Sequence, residues 1–437
     1  MINTTDFTKE HKGHSGLSFC VNLCLLLFII KIQKIKTQYQ NPMKLQSQSS
    51  KALHAALNKS AKCIGSKNTI AILNNVLLTR KGERFYFTSA TTDSQLTIPA
   101  PLTICNGTYN RDIVLPIKML SALLSTLPDC VVTFDIPDNS QSFTVEYCTS
   151  KEDNVKPGKA QMNLFYGDEY PKMVQPDGEQ SSVITLPMSL FNAVVDNADK
   201  FAVNDELRPQ LSCLCIDVAE DRSEVVFVGT NGQILVKMTH SNDPAKGGSD
   251  FFRVGQPGNI LIHRSYFRTI SAFDGSEDIT IENDGHTIRF TSGETELICK
   301  QVEGRYPNYN AVIPKNNPFY VVFDKKEMLD ILRRVSLFSS NASNLVEIKK
   351  NGIFLTVSAS DIDYAVSGED QVLISNAQCD DNFRIGLNST ALQTCVTSIP
   401  SDTIRMQLLD ASHAVVITAD EPAPKVLTLC MPMVLND

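Results

Sequence analysis

The chain has 437 residues, 40 Lys+Arg against 48 Asp+Glu for a formal net charge of −8, 42% hydrophobic and 20% charged residues, and no Trp. At roughly 100–200 residues per domain it holds several domains, and this composition excludes disordered and fibrous classes. The acidic balance excludes a protein that coats nucleic acid over its whole surface but leaves room for a basic stripe on one face, and the missing Trp weakens sugar- and single-strand-binding readings.

Residues 1–42 differ in composition from the rest of the chain. The run Leu17–Ile30 is apolar apart from Ser18 and Asn22, and falls short of the roughly 20 residues that span a bilayer. Lys31-Ile32-Gln33-Lys34-Ile35-Lys36 comes next, in place of a small-residue cleavage site. The reading adopted is a non-domain extension from a mis-set translation start, with the domains beginning at Met43-Lys44. A membrane anchor is the alternative.

From there one pattern recurs three times. The first unit opens on Ser50-Lys51-Ala52-Leu53-His54-Ala55-Ala56-Leu57, with Leu53, Ala56 and Leu57 at helical spacing. A strand at Ile72–Leu78 follows, then a second helix, Ile117–Leu127, stopped by Pro128. Strands Val131–Ile136 and Phe143–Tyr147 close it around Pro137-Asp138-Asn139. The second unit repeats this with a helix from Ser189 carrying Phe191, Val194 and Val195, a strand Leu211–Val218, a helix His263–Phe273, and strands Ile279–Asn283 and Thr287–Thr291 about Asp284-Gly285. The third has a helix from Lys326 with Met328, Ile331 and Leu332, a strand Leu345–Ile348, a helix Ser389–Ile399 before Pro400, and strands Ile404–Leu409 and Ala414–Thr418 about Asp410-Ala411-Ser412. Polar connectors lie at Gln175–Gln180 and Pro314–Pro318. The fold class is α+β, three repeated domains at 43–174, 181–313 and 318–437, each with two helices on curved antiparallel sheet. Three copies of one unit suit an arc or ring better than an enzyme with one active site.

Motifs for catalysis are missing: no GxSxG, Walker loop, GxGxxG or HExxH occurs, and Gly247-Gly248 reads as a loop. The cysteines form no CxxC. Cys130, Cys213, Cys215, Cys299 and Cys430 sit in apolar or alternating runs, which fits a reduced, cytoplasmic protein. Cys213 and Cys215 share one strand face, where zinc ligation is the minor alternative. Glu152-Asp153, Asp361/Asp363 and Asp380-Asp381 read as solvated turn residues rather than Mg²⁺ ligands. No catalytic residue, metal or cofactor is assigned. The competing class is a metal-dependent nuclease or other enzyme on duplicated domains.

Four stretches carry a resemblance. Gly304-Arg305-Tyr306-Pro307-Asn308-Tyr309 through Val312-Ile313-Pro314-Lys315, the terminal Met431-Pro432-Met433-Val434-Leu435, Ile70–Leu78, and Thr230-Asn231-Gly232-Gln233-Ile234-Leu235 are similar, in order, to signatures of the bacterial sliding clamp, the beta subunit of DNA polymerase III. The resemblance covers about residues 43–435. It implies a non-catalytic processivity factor: two subunits joined head to tail in a ring around double-stranded DNA, without sequence preference, in the nucleoid-associated cytoplasm and not on a membrane.

It also implies three sets of residues. Lys51, Lys59, Lys62, Lys67, Lys200, Arg208, Arg333 and Arg334, on or after the first helices, are the DNA-facing candidates; Lys67 matches the position of an Arg that contacts DNA in the family. A pocket for client peptides is lined by Leu211, Thr230, Gly232, Gln233, Ile234, Leu235, Pro307, Val312, Leu429, Cys430, Met431, Pro432, Met433 and Val434. Its implied clients are the replicative polymerase alpha subunit, the clamp loader, and repair polymerases and ligase-type proteins. Leu337 and Phe338 are implied in the dimer interface. The sequence departs from the family at Gln233-Ile234, where His-Arg is usual, and at Ala311 and Val434, where Arg is common, so the pocket rim is less basic.

Overall fold

A computed structural model describes residues 42–435 except 66–67, 139, 150–156, 179–180, 243–251, 255–257 and 382, with backbone alone at Phe252–Val254. The N-terminal extension, Lys67, Glu152-Asp153 and Gly247-Gly248 lie outside the described residues. The chain divides into two compact units. The first comprises residues up to Asn58, Thr69–Phe87 and Pro99–Tyr170; the second comprises Lys59–Asn68, Thr88–Ile98 and Pro171 onward.

In the first unit, strand Met43–Ser47 pairs with Thr103–Asn106 on one side and Val132–Ile136 on the other. Ser142–Tyr147 and the edge strand Gly158–Asn163 complete a five-stranded antiparallel sheet. Helix α1 (Ser50–Ala61) starts where Ser49 Oγ accepts from Ala52 N at 3.1 Å, satisfying one of the free donors of the first turn. Helix α2 (Ile117–Thr126) meets it through Ser121 Oγ donating to Asn58 Oδ1 at 2.9 Å. The periodic residues Leu53, Leu57, Leu120 and Leu124 are buried, as are Phe134 and Phe143, whose rings meet edge to face at 5.5 Å.

The second unit holds helices α3 (Met188–Phe201), α4 (Phe267–Ile270), α5 (Tyr309–Val312), α6 (Lys325–Val335) and α7 (Ser389–Ser398). Asp324 caps α6 by accepting from Glu327 N at 2.8 Å, and Asn388 caps α7 by accepting from Ala391 N at 3.0 Å. Helix α3 lies directly on strand Glu224–Thr230. A Cβ on Gly229 would stand 3.1 Å from Ala198 Cα, so only glycine lets the backbones approach this closely. Thr295–Lys300, Thr287–Ser292, Ile279–Asn283, Ser182–Leu186 and Phe252–Val254 run in that order in one sheet. A second sheet orders Asn259–His263, Cys213–Val218, Glu224–Thr230, Ile234–Ser241, Val426–Cys430, Val415–Ala419, Thr403–Leu408, Phe319–Asp324, Val366–Gln378, Phe354–Asp361, Leu345–Asn351 and Arg384–Asn388.

The element order repeats three times along the chain, as the sequence pattern predicts, and the class is α+β. Local boundaries differ. Each repeat begins with a strand ahead of its helix: Met43–Ser47, Ser182–Leu186 and Phe319–Asp324. The strands expected from Ile72 and Leu211 start later, at Val76 and Cys213, after 3₁₀ turns Ala71–Asn74 and Pro209–Ser212. The expected helix His263–Phe273 is a 3₁₀ turn, Arg264–Tyr266, running into the single turn α4. Ala272 N and Phe273 N close it with bonds to Thr269 O and Ile270 O, the tighter i→i+3 pattern. Its aromatic and β-branched residues lose rotamer freedom in a longer α-helix.

Candidate functional site

The cleft that gathers most predicted pocket residues grows from one strand pairing. Ile234–Met238 runs antiparallel to Val426–Cys430, with Leu235 opposite Leu429. The turn before it is held by its own side chains. Thr230 Oγ1 donates to Ile234 O at 2.7 Å and accepts from Gly232 N at 3.0 Å, while Asn231 Oδ1 accepts from Gln233 N and Ile234 N at 2.8 and 2.9 Å. Gly232 sits at φ +87°, a conformation that disfavours a side chain. Gln233 O then accepts from Met431 N at 2.9 Å, extending the ladder one step and setting Met431 beside the turn.

The facing wall comes from Pro307 and α5. Gln210 Nε2 donates to Glu303 O at 2.9 Å, tying this segment to the 3₁₀ turn that carries Leu211. Tyr306 and Tyr309 are buried, and Tyr309 donates to Asp217 Oδ2 at 2.7 Å. Burial, followed by the Asp217 carboxylate, pushes the Tyr309 phenol well above its ordinary range, so it stays a donor. Beneath the cleft Cys213, Cys215, Val226, Val228, Leu235 and Leu429 pack together with both tyrosines. The Cys213 thiol is pushed up to about 12 by burial, which makes it an inert apolar group.

The resulting cavity of about 410 Å³ is lined by the predicted Leu211, Thr230, Gly232, Gln233, Ile234, Leu235, Pro307, Val312, Leu429 and Met431. Val312 and Met431 are 53% and 42% exposed, unusual for large apolar side chains. The expected rim residue Ala311 lines it too, and sequence reasoning missed Asn308, Tyr309, Pro314 and the turn Ser412-His413-Ala414, which complete it. At the rim His413 Nδ1 lies 2.8 Å from Asp410 Oδ1; that contact, then Ser412, holds the Asp410 carboxyl far below its usual range. The predicted Cys430, Pro432, Met433 and Val434 are not among the lining residues. Strand alternation turns Cys430 to the other face, where it is buried. Met433 N donates to Gly386 O at 2.8 Å, and Val434 is 86% exposed. The cleft is apolar with a few fixed polar groups.

Lys51, Lys59, Lys200, Arg208, Arg333 and Arg334 are exposed, and Lys62 is half-buried. Arg208 pairs with Asp205 at 2.8 Å, Arg333 with Asp330 at 2.9 Å and Arg334 with Asp370 at 2.6 Å. Such exposed pairs are weak and leave the cations available to a stronger anion. Leu337 and Phe338 end a 3₁₀ turn after α6, 80% and 38% exposed, with the Phe338 ring directly against Gly368. The acidic pairs do local work: Asp361 Oδ1 accepts from Asp363 N at 3.0 Å, and Asp381 pairs with Lys350. No group of three or more His, Cys, Asp or Glu is placed to hold a metal among the described residues, nor is any helix among them long and apolar enough to cross a membrane.

Two family models match this chain: the N-terminal domain of the DNA polymerase III beta subunit over residues 43–173, and its C-terminal domain over 310–434. The chain is 26% identical over 379 residues to the beta sliding clamp of Synechocystis, covering 84% of this chain and 93% of that protein. It is 23% identical over 372 residues to that of Pseudomonas aeruginosa, covering 84% and 94%. Among solved structures, the DNA polymerase III beta subunit of Pseudomonas aeruginosa superposes with a TM-score of 0.78 at 18% identity, over 90% of this chain and 100% of that one. The beta subunit of Thermotoga maritima superposes with 0.76 at 17% identity over the same shares. These structures share its fold. With both terminal domains matched and curated relatives aligned along most of their length, the chain belongs to the family of bacterial beta sliding clamps, non-catalytic processivity subunits of DNA polymerase III.

Proposed function

We propose that two copies of this chain close head to tail around duplex DNA and tether the replicative polymerase through the cleft beside Met431, which also receives the clamp loader and repair or ligase-type clients. Domains at 43–174, 181–313 and 318–437 supply three arcs per copy, and the exposed Lys and Arg of the first helices meet phosphates without reading sequence.

The observation that carries the ring is a repeated strand junction. Ile234–Met238, the third strand after its helix, pairs with the last strand of the following repeat, Val426–Cys430. The corresponding Ser94–Thr97 pairs in the same way with Glu296–Cys299. The third repeat's counterpart, Val366–Leu373, pairs with Phe354–Asp361 on one side, and the first repeat's last strand, Gly158–Asn163, is a sheet edge. A second copy supplies the missing neighbour for each. Leu337 and Phe338 lie beside that open junction and supply apolar area to cover. Multi-angle light scattering should give the mass of two chains, and adding the protein to its polymerase should lengthen primer-extension products at high template excess. A monomer, with unchanged product length, would remove this reading.

A further inference from the structure

Among the described residues that line the apolar cleft there is no Lys, Arg, Asp or Glu, and the rim positions Gln233, Ile234 and Ala311 are all neutral. Two lining side chains titrate, Tyr309 and His413. The Tyr309 phenol donates to Asp217 at 2.7 Å and keeps its proton. His413 is therefore the lining group that can change charge near neutral pH.

The hairpin turn between strands Thr403–Leu408 and Val415–Ala419 fixes this ring through Asp410. Asp410 Oδ1 accepts from Ser412 N at 2.7 Å, from the Ser412 hydroxyl at 2.7 Å and from His413 N at 3.0 Å, which shapes the turn. Both carboxylate oxygens also lie 2.8 Å from His413 Nδ1. With its carboxyl held far below the usual range, first by His413 and then by Ser412, Asp410 stays ionised and can only accept. Nδ1 must then carry a hydrogen whether the ring is neutral or charged. The other ring nitrogen, Nε2, makes no hydrogen bond among the described residues, and the side chain is exposed at the cleft.

Holding Nδ1 as a donor gives Nε2 two roles. In the neutral imidazole it is a bare acceptor; in the imidazolium it is a charged donor. We propose that His413 is a specificity-determining residue of the cleft, whose Nε2 favours a carboxylate on the bound segment when the ring is protonated and an ammonium when it is neutral. This inference rests on the client reading and deepens it. The apolar lining holds the segment, and His413 ranks segments by the charge that flanks their apolar run.

The test uses the full chain and labelled apolar hexapeptides of leucine and phenylalanine, made with Glu, Gln or Lys at either end and titrated by anisotropy. Between about pH 8 and about pH 5.5 the imidazole titrates while the peptide carboxylate, with an ordinary value of about 4.3, stays ionised. Over that range the parent's affinity for the Glu peptide relative to the Lys peptide should rise about threefold as pH falls, the size of an exposed ion pair. The Gln peptide should fall between them. His413→Gln should flatten the ratio. Asp410→Asn keeps an acceptor for the turn but no longer holds Nδ1 by charge, and should shrink the change. Melting curves establish that both variants fold. A merely structural role would weaken all the peptides alike and leave the pH dependence of the ratio in place. The inference is overturned if the parent's ratio does not change with pH, or changes equally in His413→Gln. A parent that binds none of the peptides overturns the client reading, and this inference with it; one that binds them all with a constant ratio overturns the inference alone.

Discussion

Tyr309 and Asp217 are joined by a 2.7 Å hydrogen bond from phenol to carboxylate, and this bond fastens the α5 wall of the apolar cleft to strand Cys213–Val218. Replacing Tyr309 with Phe keeps the ring in the core but leaves Asp217 short of a partner. A hydrogen bond to a charged group contributes about 1.5–3 kcal/mol. Calorimetry should show a melting temperature lower by about 2–4 °C per kcal/mol lost, and an unchanged melt would mean that the wall is held by packing alone.

Met431 lines the cleft and Val434, three residues on, does not. Met431→Ala should reduce the affinity of an apolar polymerase-derived peptide about tenfold, about 1.4 kcal/mol, as loss of one anchor does. Val434→Ala should leave it unaltered. Fluorescence anisotropy separates the two; equal losses would place the peptide along the whole C-terminal segment.

Phe338 lies against Gly368 and Leu337 stands in solvent beside it. Converting both to Asp should leave each chain folded and shift light scattering to the mass of one chain, because burying a large apolar side chain is worth roughly 1.5–3 kcal/mol. Gly368→Val should do the same by driving the Phe338 ring from its seat. Persistent dimers in both variants would locate the interface elsewhere.

The Lys300 ammonium holds the Asp93 carboxyl below its ordinary value, with the Thr92 hydroxyl assisting. A depressed folded-state pKa gives stability that is present above the unfolded value near 3.9 and is lost as pH falls through the folded one. Both ends are more than half exposed, so the contribution stays under about 1 kcal/mol. Lys300→Met should therefore lower stability slightly near pH 7, by under about 1 kcal/mol, and the difference from the parent should vanish as pH falls below the folded Asp93 value. Denaturant melts followed by circular dichroism across a pH series measure this, and a difference that persists undiminished in acid would contradict it.

The threefold repeat was legible because Leu53/Leu57, Phe191/Val195 and Met328/Leu332 fall at helical spacing and are all buried. The strand Met43–Ser47 was not, since five residues, three of them polar, make too short a run to stand out beside a strong helix signal. Helix His263–Phe273 failed for the opposite reason: apolar residues were dense enough to suggest a helix but serve a tight turn packed on the core. In the cleft, Leu211 and Leu429 followed from motif positions. Ser412–Ala414 did not, because a hairpin turn looks alike whether or not the fold brings it to a pocket. Cys430 and Met433 were drawn in by adjacency, and strand alternation sends Cys430 to the other face.

Encirclement is a topological property, so the most direct measurement is topological too. The protein is assembled on a nicked circular duplex with a clamp loader and passed over a sizing column in high salt, before and after the circle is cut once. Enclosure without a tight grip predicts that it co-elutes with the intact circle and is lost from the linear form, since sliding off an end needs no contact to break. Equal retention on both forms, or release from both as salt screens the phosphates, would contradict a ring around DNA.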